Sequence, residues 1–487
     1  METRLLIGGE QVAGDGPQLL VENPATEETV AEVGSASPEQ VDAAIATARE
    51  GMPGWAGMPA GERGELLHEV ATRLRDRTDE LARVMTLEGG KPLVENSDEV
   101  GWTAACFDFY AELGRASAGR VIPPIESSQL ALVVKEPVGV VGAIVPWNYP
   151  LLLLAWKLAP ALAAGNPVVC KPSELTPLST LMLAECLEAL PPGAVAILAG
   201  AGDVGEAIVS DERVDCVAFT GSVETGKKIA ARCAERVARM NLEMGGKDPF
   251  IVCADVAGDV QVAARGGAWA AFLNAGQVCT SAERFYVQRE VYDDFLSEFV
   301  DHTNSLIVGD PMDPSTDIGP MASANQRDKA AAQVDAAVAA GAELVTGGGS
   351  AGQSAGHYFS PAVVTGAPPE TDLLREETFG PVAPIVPVDS LDEAIALANG
   401  TRFGLGANVY TRDLETAVRC MREIKAGTVW INDPLTDNDA GPFGGFKQSG
   451  LGRELGIEGL EAFQETKHVH IETRIGPKEW WYPYGAS

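Results

Sequence analysis

Val138-Gly-Val-Val-Gly-Ala-Ile-Val-Pro-Trp-Asn-Tyr-Pro-Leu-Leu-Leu-Leu-Ala-Trp-Lys-Leu-Ala-Pro-Ala-Leu-Ala-Ala-Gly-Asn-Pro-Val-Val-Cys170 contains one charged residue, Lys157. Length and apolarity alone would fit a membrane helix. Four prolines, at 146, 150, 160 and 167, divide the run, and Asn148 and Gly165 add polar or flexible points. Proline breaks a helix or sets its first turn, so the stretch reads as strand, loop, helix and strand in a buried core.

The same rhythm continues outward. Apolar strands are expected at 140–145, 168–171, 195–198, 217–220 and 251–253, with helices at 151–164, 177–190 and 225–237. Strands alternating with helices in this way build a parallel, doubly wound α/β sheet. A second βα series follows Ala257, with a helix to about 274, a strand at 284–287 and a helix from Val291. Upstream, Ser37-Pro-Glu-Gln40 combines a capping serine, proline at the first helical position and glutamine three residues on. That helix is expected to reach about Glu50, and a single amphipathic stretch to span 62–87. Residues 347–356 form a small glycine and serine loop, too short for a linker.

A chain of 487 residues is too long for one core, so two or three domains are expected. The formal net charge of −33 argues against a nucleic-acid or anionic-membrane partner. None of the eight cysteines forms a C-x-x-C pair, and most sit in apolar runs such as Pro167-Val-Val-Cys170. Reduced thiols in a cytoplasmic protein are expected. Met1-Glu-Thr-Arg leads into an apolar stretch that Gly8 and Gly9 break, so no secretory leader is read there. The five histidines lack metal-ligand spacing, and His468 and His470 read as a solvated strand face. No metal is expected.

Several residues could carry chemistry. Gly200-Ala-Gly-Asp-Val-Gly205 matches G-x-G-x-x-G between a strand and a helix, although a turn without a phosphate role fits as well. Phe219-Thr-Gly-Ser222 places a small residue and a hydroxyl before a helix, whose free N–H groups can hold a pyrophosphate. Cys279, in Asn274-Ala-Gly-Gln-Val-Cys-Thr280, follows a glycine loop at a helix end, which suits a reactive thiol or a buried structural one. Glu243 stands where an apolar strand ends in glycines, as a general base or a plain surface residue. Asn148 follows Pro146-Trp147 at a strand end facing the expected cleft.

Taken together and in order, Pro146-Trp-Asn148, Cys170-Lys-Pro-Ser-Glu174, Phe219-Thr-Gly-Ser222, Leu242-Glu-Met-Gly-Gly-Lys247, Gly276-Gln-Val-Cys279, Glu377-Thr-Phe-Gly-Pro381 and Pro442-Phe-Gly-Gly-Phe-Lys447 resemble the NAD(P)-dependent aldehyde dehydrogenase superfamily. The resemblance runs from about Leu5 to about Ile471. It implies an α/β architecture with a Rossmann-like cofactor domain (1–118, 138–246 and a return at 448–463), an α/β catalytic domain (247–447) and a small β oligomerisation arm. The arm is a hairpin at 119–137 joined by a strand within 464–487, and homodimers or homotetramers are implied.

The resemblance also implies the chemistry. Cys279 would attack the aldehyde, with the Asn148 side chain and the Cys279 N–H holding the oxyanion. Hydride transfer would leave a thioester that Glu243 hydrolyses through an activated water. Lys157 and Glu454 would relay protons. Lys171, Ser173 and Glu174 would meet the adenosine side of the cofactor, Gly221 and Ser222 the pyrophosphate, and Glu377 and Phe379 the nicotinamide side. Trp147 and Phe219 join this set, and Gly205 has a lesser place in it. Glu174 beside the ribose would repel a 2′-phosphate, so NAD is expected over NADP. A CoA-acylating relative would not need Glu243, and a crystallin-like relative without turnover would not be held to Cys279, Glu243 or Asn148.

Tyr149, Leu153, Trp156, Leu273, Val278 and Thr280 are expected to line a substrate tunnel, suited to a medium aliphatic or aromatic aldehyde. Asp433, Asp437 and Asp439 cluster at its mouth. A solvated turn is the ordinary reading of that cluster; facing the tunnel, it would favour cationic aldehydes. Glu479-Trp-Trp-Tyr-Pro-Tyr484 lies past the resemblance, as packing against a neighbouring subunit or a rim of the tunnel.

Overall fold

The computed structural model describes residues 2–484, so the last three positions of the 464–487 segment lie outside it. Two large sheets and a small arm organise the chain. The first sheet has eight strands, ordered Gly450–Leu451, Arg239–Met244, Cys216–Gly221, Val141–Ile144, Val168–Lys171, Val195–Ile197, Leu5–Ile7 and Glu10–Val12. Its five central strands are mutually parallel, and the antiparallel strands sit at the edges. Val141–Ile144 comes first of the five in sequence and lies in their middle, so chain order reverses there. Ligand crevices in open α/β sheets form outside the carboxyl ends of strands at such a point.

The helix Pro150–Ala163 is buried at every position, which explains the uncharged run around it. No helix among the described residues is long and apolar enough to cross a membrane. The second sheet has seven strands, ordered Glu343–Thr346, Ala362–Thr365, Val382–Val388, Ala282–Gln288, Asp248–Val252, Gly406–Tyr410 and Thr428–Ile431. Only its first pair is antiparallel. The arm is a three-stranded antiparallel sheet of Gln464–Glu472, Gln129–Pro137 and Arg120–Ile122. His468 and His470 are exposed on its edge strand.

Three expected helices differ. The one expected over 177–190 ends about a turn early, as Leu178–Cys186. Pro38–Gly57 passes Gly51 and Pro53 and ends about two turns later than expected, because burying Trp55 holds the last turn against the core. The stretch at 62–87 is two helices, Ala60–Asp76 and Thr78–Gly89. Arg77 breaks it with φ −111° and ψ 16°, and its guanidinium reaches Glu80 and the Met182 carbonyl instead of continuing the turn.

Candidate active site

The site assembles where the loop after Val141–Ile144 meets the loop after the helix Val260–Phe272. The first loop carries Asn148. Glu99 accepts hydrogen bonds from the Leu151 and Leu152 N–H groups (2.9 and 3.1 Å), capping the helix that begins just after it. Lys91 forms a buried ion pair with Glu99, donates to the Asn148 carbonyl (3.2 Å) and lies over the Tyr149 ring. The Asn148 amide donates to the Gln277 carbonyl at 2.9 Å, and its Oδ1 is buried without a partner.

The second loop presents Cys279. Asn274, Ala275 and Gly276 are all left-handed, with φ of 49°, 54° and 71°. For the two non-glycine residues this conformation costs about 1–2 kcal/mol each. At Gly276 a Cβ would lie 2.3 Å from the Gly380 carbonyl oxygen, so glycine is required for space as well. The turn leaves Cys279 partly exposed while the other seven cysteines are buried, which favours the reactive reading of this thiol. Burial, and then Glu243, push the Cys279 thiol above its ordinary range.

Glu243 lies on the strand Arg239–Met244 and is 2% exposed, which removes the surface reading. Neither of its carboxylate oxygens has a hydrogen-bond partner. Burial, followed by the neighbouring Glu454, raises its pKa well above the usual carboxylate range. A buried carboxyl left without partners is costly and points to function. Behind it, fully buried Lys157 pairs with Glu454 at 2.7 Å and donates to the Thr220 hydroxyl at 2.6 Å. Thr220 is the register partner of Glu243 on the adjacent parallel strand. Thr220 was not singled out from the sequence, although it stands inside the quoted Phe219-Thr-Gly-Ser222 turn.

The opposite side of the crevice gathers the residues expected to meet a nucleotide. Lys171 ends the strand Val168–Lys171, is largely buried, and places its ammonium 3.7 Å from Glu174. The Ser173 hydroxyl accepts from the Leu175 N–H. Ser222 caps the helix Val223–Arg236 by accepting from the Thr225 N–H. Gly205 packs its backbone on the Lys171 side chain. Phe219 is buried, with its ring packed close under Gly221.

Glu377 accepts from the Gly246 N–H at 3.2 Å, and burial, with Glu283 next, raises it to about 7. Phe379 meets Trp147 edge to face at 5.4 Å. Sequence reasoning missed Glu283, whose carboxylate accepts from the N–H groups of Thr378 and Phe379 (2.8 Å each) and pairs with buried Lys247. Its signal was a charged pair, Glu283-Arg284, inside an otherwise apolar strand.

A cavity of about 470 Å³ opens onto Cys279 and Asn148. Tyr149, Leu153, Trp156, Leu273, Val278, Thr280 and Asp437 all line it, together with Asp433 and Asp439. The acidic cluster therefore lies along the cavity wall while Asp433 and Asp437 also remain open to solvent, as at a mouth. Burial, with Asp439 next, raises Asp437 to about 7. Trp102 and Trp269, missed in the sequence, also line the cavity and are half exposed on their helices. The aromatic C-terminal segment does not line it.

A thiol beside an amide donor, with a buried carboxyl and a nucleotide-type crevice opposite, is equipped for acyl transfer through sulfur. Residues 12–469 match the sequence profile of the aldehyde dehydrogenase family. The chain belongs to the aldehyde dehydrogenase family. This aldehyde dehydrogenase is 37% identical to a betaine aldehyde dehydrogenase of Bacillus subtilis strain 168, with 99% of each chain covered. It is also 37% identical to an NADP(+) succinate-semialdehyde dehydrogenase of Escherichia coli strain K12, covering 96% of this chain and 97% of that one. A betaine aldehyde dehydrogenase of Staphylococcus aureus, solved in complex with NAD+, superposes with a TM-score of 0.95 at 36% identity, over 99% and 97% of the two chains. The enzyme oxidises an aldehyde to the carboxylic acid.

Proposed function

We propose that this aldehyde dehydrogenase acts on a cationic aldehyde through Cys279, Asn148 and Glu243, with NAD preferred. The carrying observation is the cavity wall: Asp433, Asp437 and Asp439 line it, and among the described residues it holds no Lys, Arg or His. Trp102, Tyr149, Trp156 and Trp269 offer ring faces to an ammonium group. Relatives named for betaine aldehyde and for succinate semialdehyde carry opposite substrate charges. An acidic lining favours the first.

In this reading the partly exposed Cys279 thiol loses its proton to solvent, the thiolate adds to the aldehyde carbon, and the free N–H of Asn148 and the Cys279 N–H hold the oxyanion. Bound NAD supplies the acceptor for the hydride released as the thiohemiacetal becomes a thioester. Glu243 then takes a proton from the attacking water, and Thr220, Lys157 and Glu454 carry it away through the buried row of contacts. The cofactor fits the residues present. Lys171 and Glu174 suit ribose hydroxyls, and the Ser222-capped helix start suits a pyrophosphate. Glu377, Phe379 and Trp147 would flank the reacting end. We also assign the arm to self-association as a homodimer or homotetramer in the cytoplasm, which light scattering on the purified protein tests.

A panel of aldehydes matched in length, carrying an ammonium, no charge or a carboxylate, tests the substrate reading through NADH formation. The cationic member should have the highest kcat/KM. A preference for the carboxylated member would overturn the substrate class without touching the chemistry.

A further inference from the structure

The three left-handed residues before Cys279 do not hold themselves. The Asn274 N–H donates to a Glu95 carboxylate oxygen at 3.1 Å, and the Asn274 side-chain amide donates to the Asn148 and Gln277 carbonyls, both at 3.3 Å. The Gln277 side chain closes the turn from the other side. It is fully buried, its Nε2 donates to the Asn274 carbonyl (2.9 Å), and its Oε1 accepts from the Ala322 N–H (2.9 Å). The Gln277 backbone carbonyl takes one N–H of Asn148, leaving the other to point elsewhere. One glutamine thus ties the nucleophile turn to a distant backbone segment and, through its own carbonyl, orients Asn148.

We infer that Gln277 is a positioning residue for Asn148 in the oxyanion site: its side chain holds the turn at 274–276 in place, and its carbonyl thereby aims the Asn148 amide. The inference rests on the reading of Asn148 as an oxyanion donor. A displacement of about 1 Å in a reacting group can cost roughly a hundredfold in rate. Loss of the glutamine contacts lets the turn relax, and the carbonyl that aims Asn148 moves with it.

The test is a double-mutant cycle on single-turnover hydride transfer, with Gln277→Met, Asn148→Ala and both together. Gln277→Met should slow hydride transfer by about 10²-fold, with cofactor affinity and melting temperature close to wild type. The double variant should be no slower than Asn148→Ala alone, because Gln277 works through a donor already removed. Gln277→Glu, close in shape, guards against a folding defect: its activity should recover as pH falls and the carboxyl regains a proton to donate to the Asn274 carbonyl. Equal rate factors for Gln277→Met in both backgrounds, or a Gln277→Glu variant without acid recovery, would overturn the inference. Full activity in Asn148→Ala alone would instead overturn the oxyanion reading beneath it.

Discussion

At the scale of single residues the site holds a thiol and a carboxyl whose pKa values are both raised, chiefly by burial. The thiol can lose its proton to solvent at its partly exposed face, and Glu243 can take a proton from water only in its ionised form. Cys279→Ala should abolish NADH formation while fluorescence titration shows cofactor affinity unchanged; residual turnover would show that another cysteine carries the chemistry. Glu243→Gln should keep an initial burst close to one NADH per site while steady turnover falls by about 10²–10⁴-fold. The sign of its pH dependence follows from the raised pKa. The basic form of Glu243 appears only as pH climbs above the ordinary carboxylate range, so wild-type deacylation should rise with pH. That rise should vanish in the glutamine variant, and a profile shared by both enzymes would remove Glu243 from the step.

At the scale of elements, the five parallel strands and the buried helices Pro150–Ala163 and Leu178–Cys186 of the first sheet were legible because their apolar runs are bounded by proline, glycine and charge, and Val223–Arg236 because its apolar positions recur at helical spacing. The break at Arg77 was not. Helix periodicity continues across it, and the interruption comes from where the Arg77 guanidinium finds partners on another helix. The quoted motifs brought the nucleophile, amide and carboxyl together, whereas Thr220, Glu283, Gln277 and the two cavity tryptophans act through contacts between distant segments. The loop at 433–440 was ambiguous for the same reason, since short acidic stretches look alike whether they face a cavity or the bulk. Its placement carries a prediction. Asp437→Asn should raise KM for a cationic aldehyde about fivefold to tenfold and leave a neutral one unchanged. With a pKa near 7, Asp437 is charged only above it, so the wild-type KM for the cation should fall as pH rises through about 7. A KM flat with pH would separate this carboxylate from substrate binding. On the cofactor side, Glu174→Ser should narrow an NAD preference of at least about tenfold through the KM for NADP. Equal use of both cofactors by the wild type would take Glu174 away from the ribose.

At the scale of the whole molecule, charge and burial act on stability in one direction. Glu88, Glu95, Glu377 and Asp437 are raised to about 7, 8, 7 and 7, so the folded protein retains protons that the unfolded chain releases above about pH 4–5. Where the native state binds more protons, unfolding free energy falls as pH rises. His68, raised by Asp108 and Glu112, stabilises below its ordinary value and loses that contribution on the alkaline side, which adds to the trend. Glu2 and Glu472, lowered to about 2, act the other way only under acid conditions. The net charge of −33 adds self-repulsion that salt screens. The melting temperature should therefore be several degrees higher at pH 6 than at pH 8, and added salt should recover part of the loss at pH 8. A higher melting temperature at pH 8 in low salt would contradict both terms. The path of the chain also bears on its synthesis. Gly450–Leu451 pairs with Arg239–Met244, Gln464–Glu472 pairs with Gln129–Pro137, and Glu454 reaches back to Lys157. At roughly 5–20 residues per second, a ribosome takes on the order of 10–40 s to travel from the first partner of that edge to the last. Through that interval the nascent first sheet waits with an open edge and an unpaired buried lysine. A polypeptide released early would carry the nucleophile but lack the carboxylate that completes its interior, leaving an incomplete product open to proteolysis.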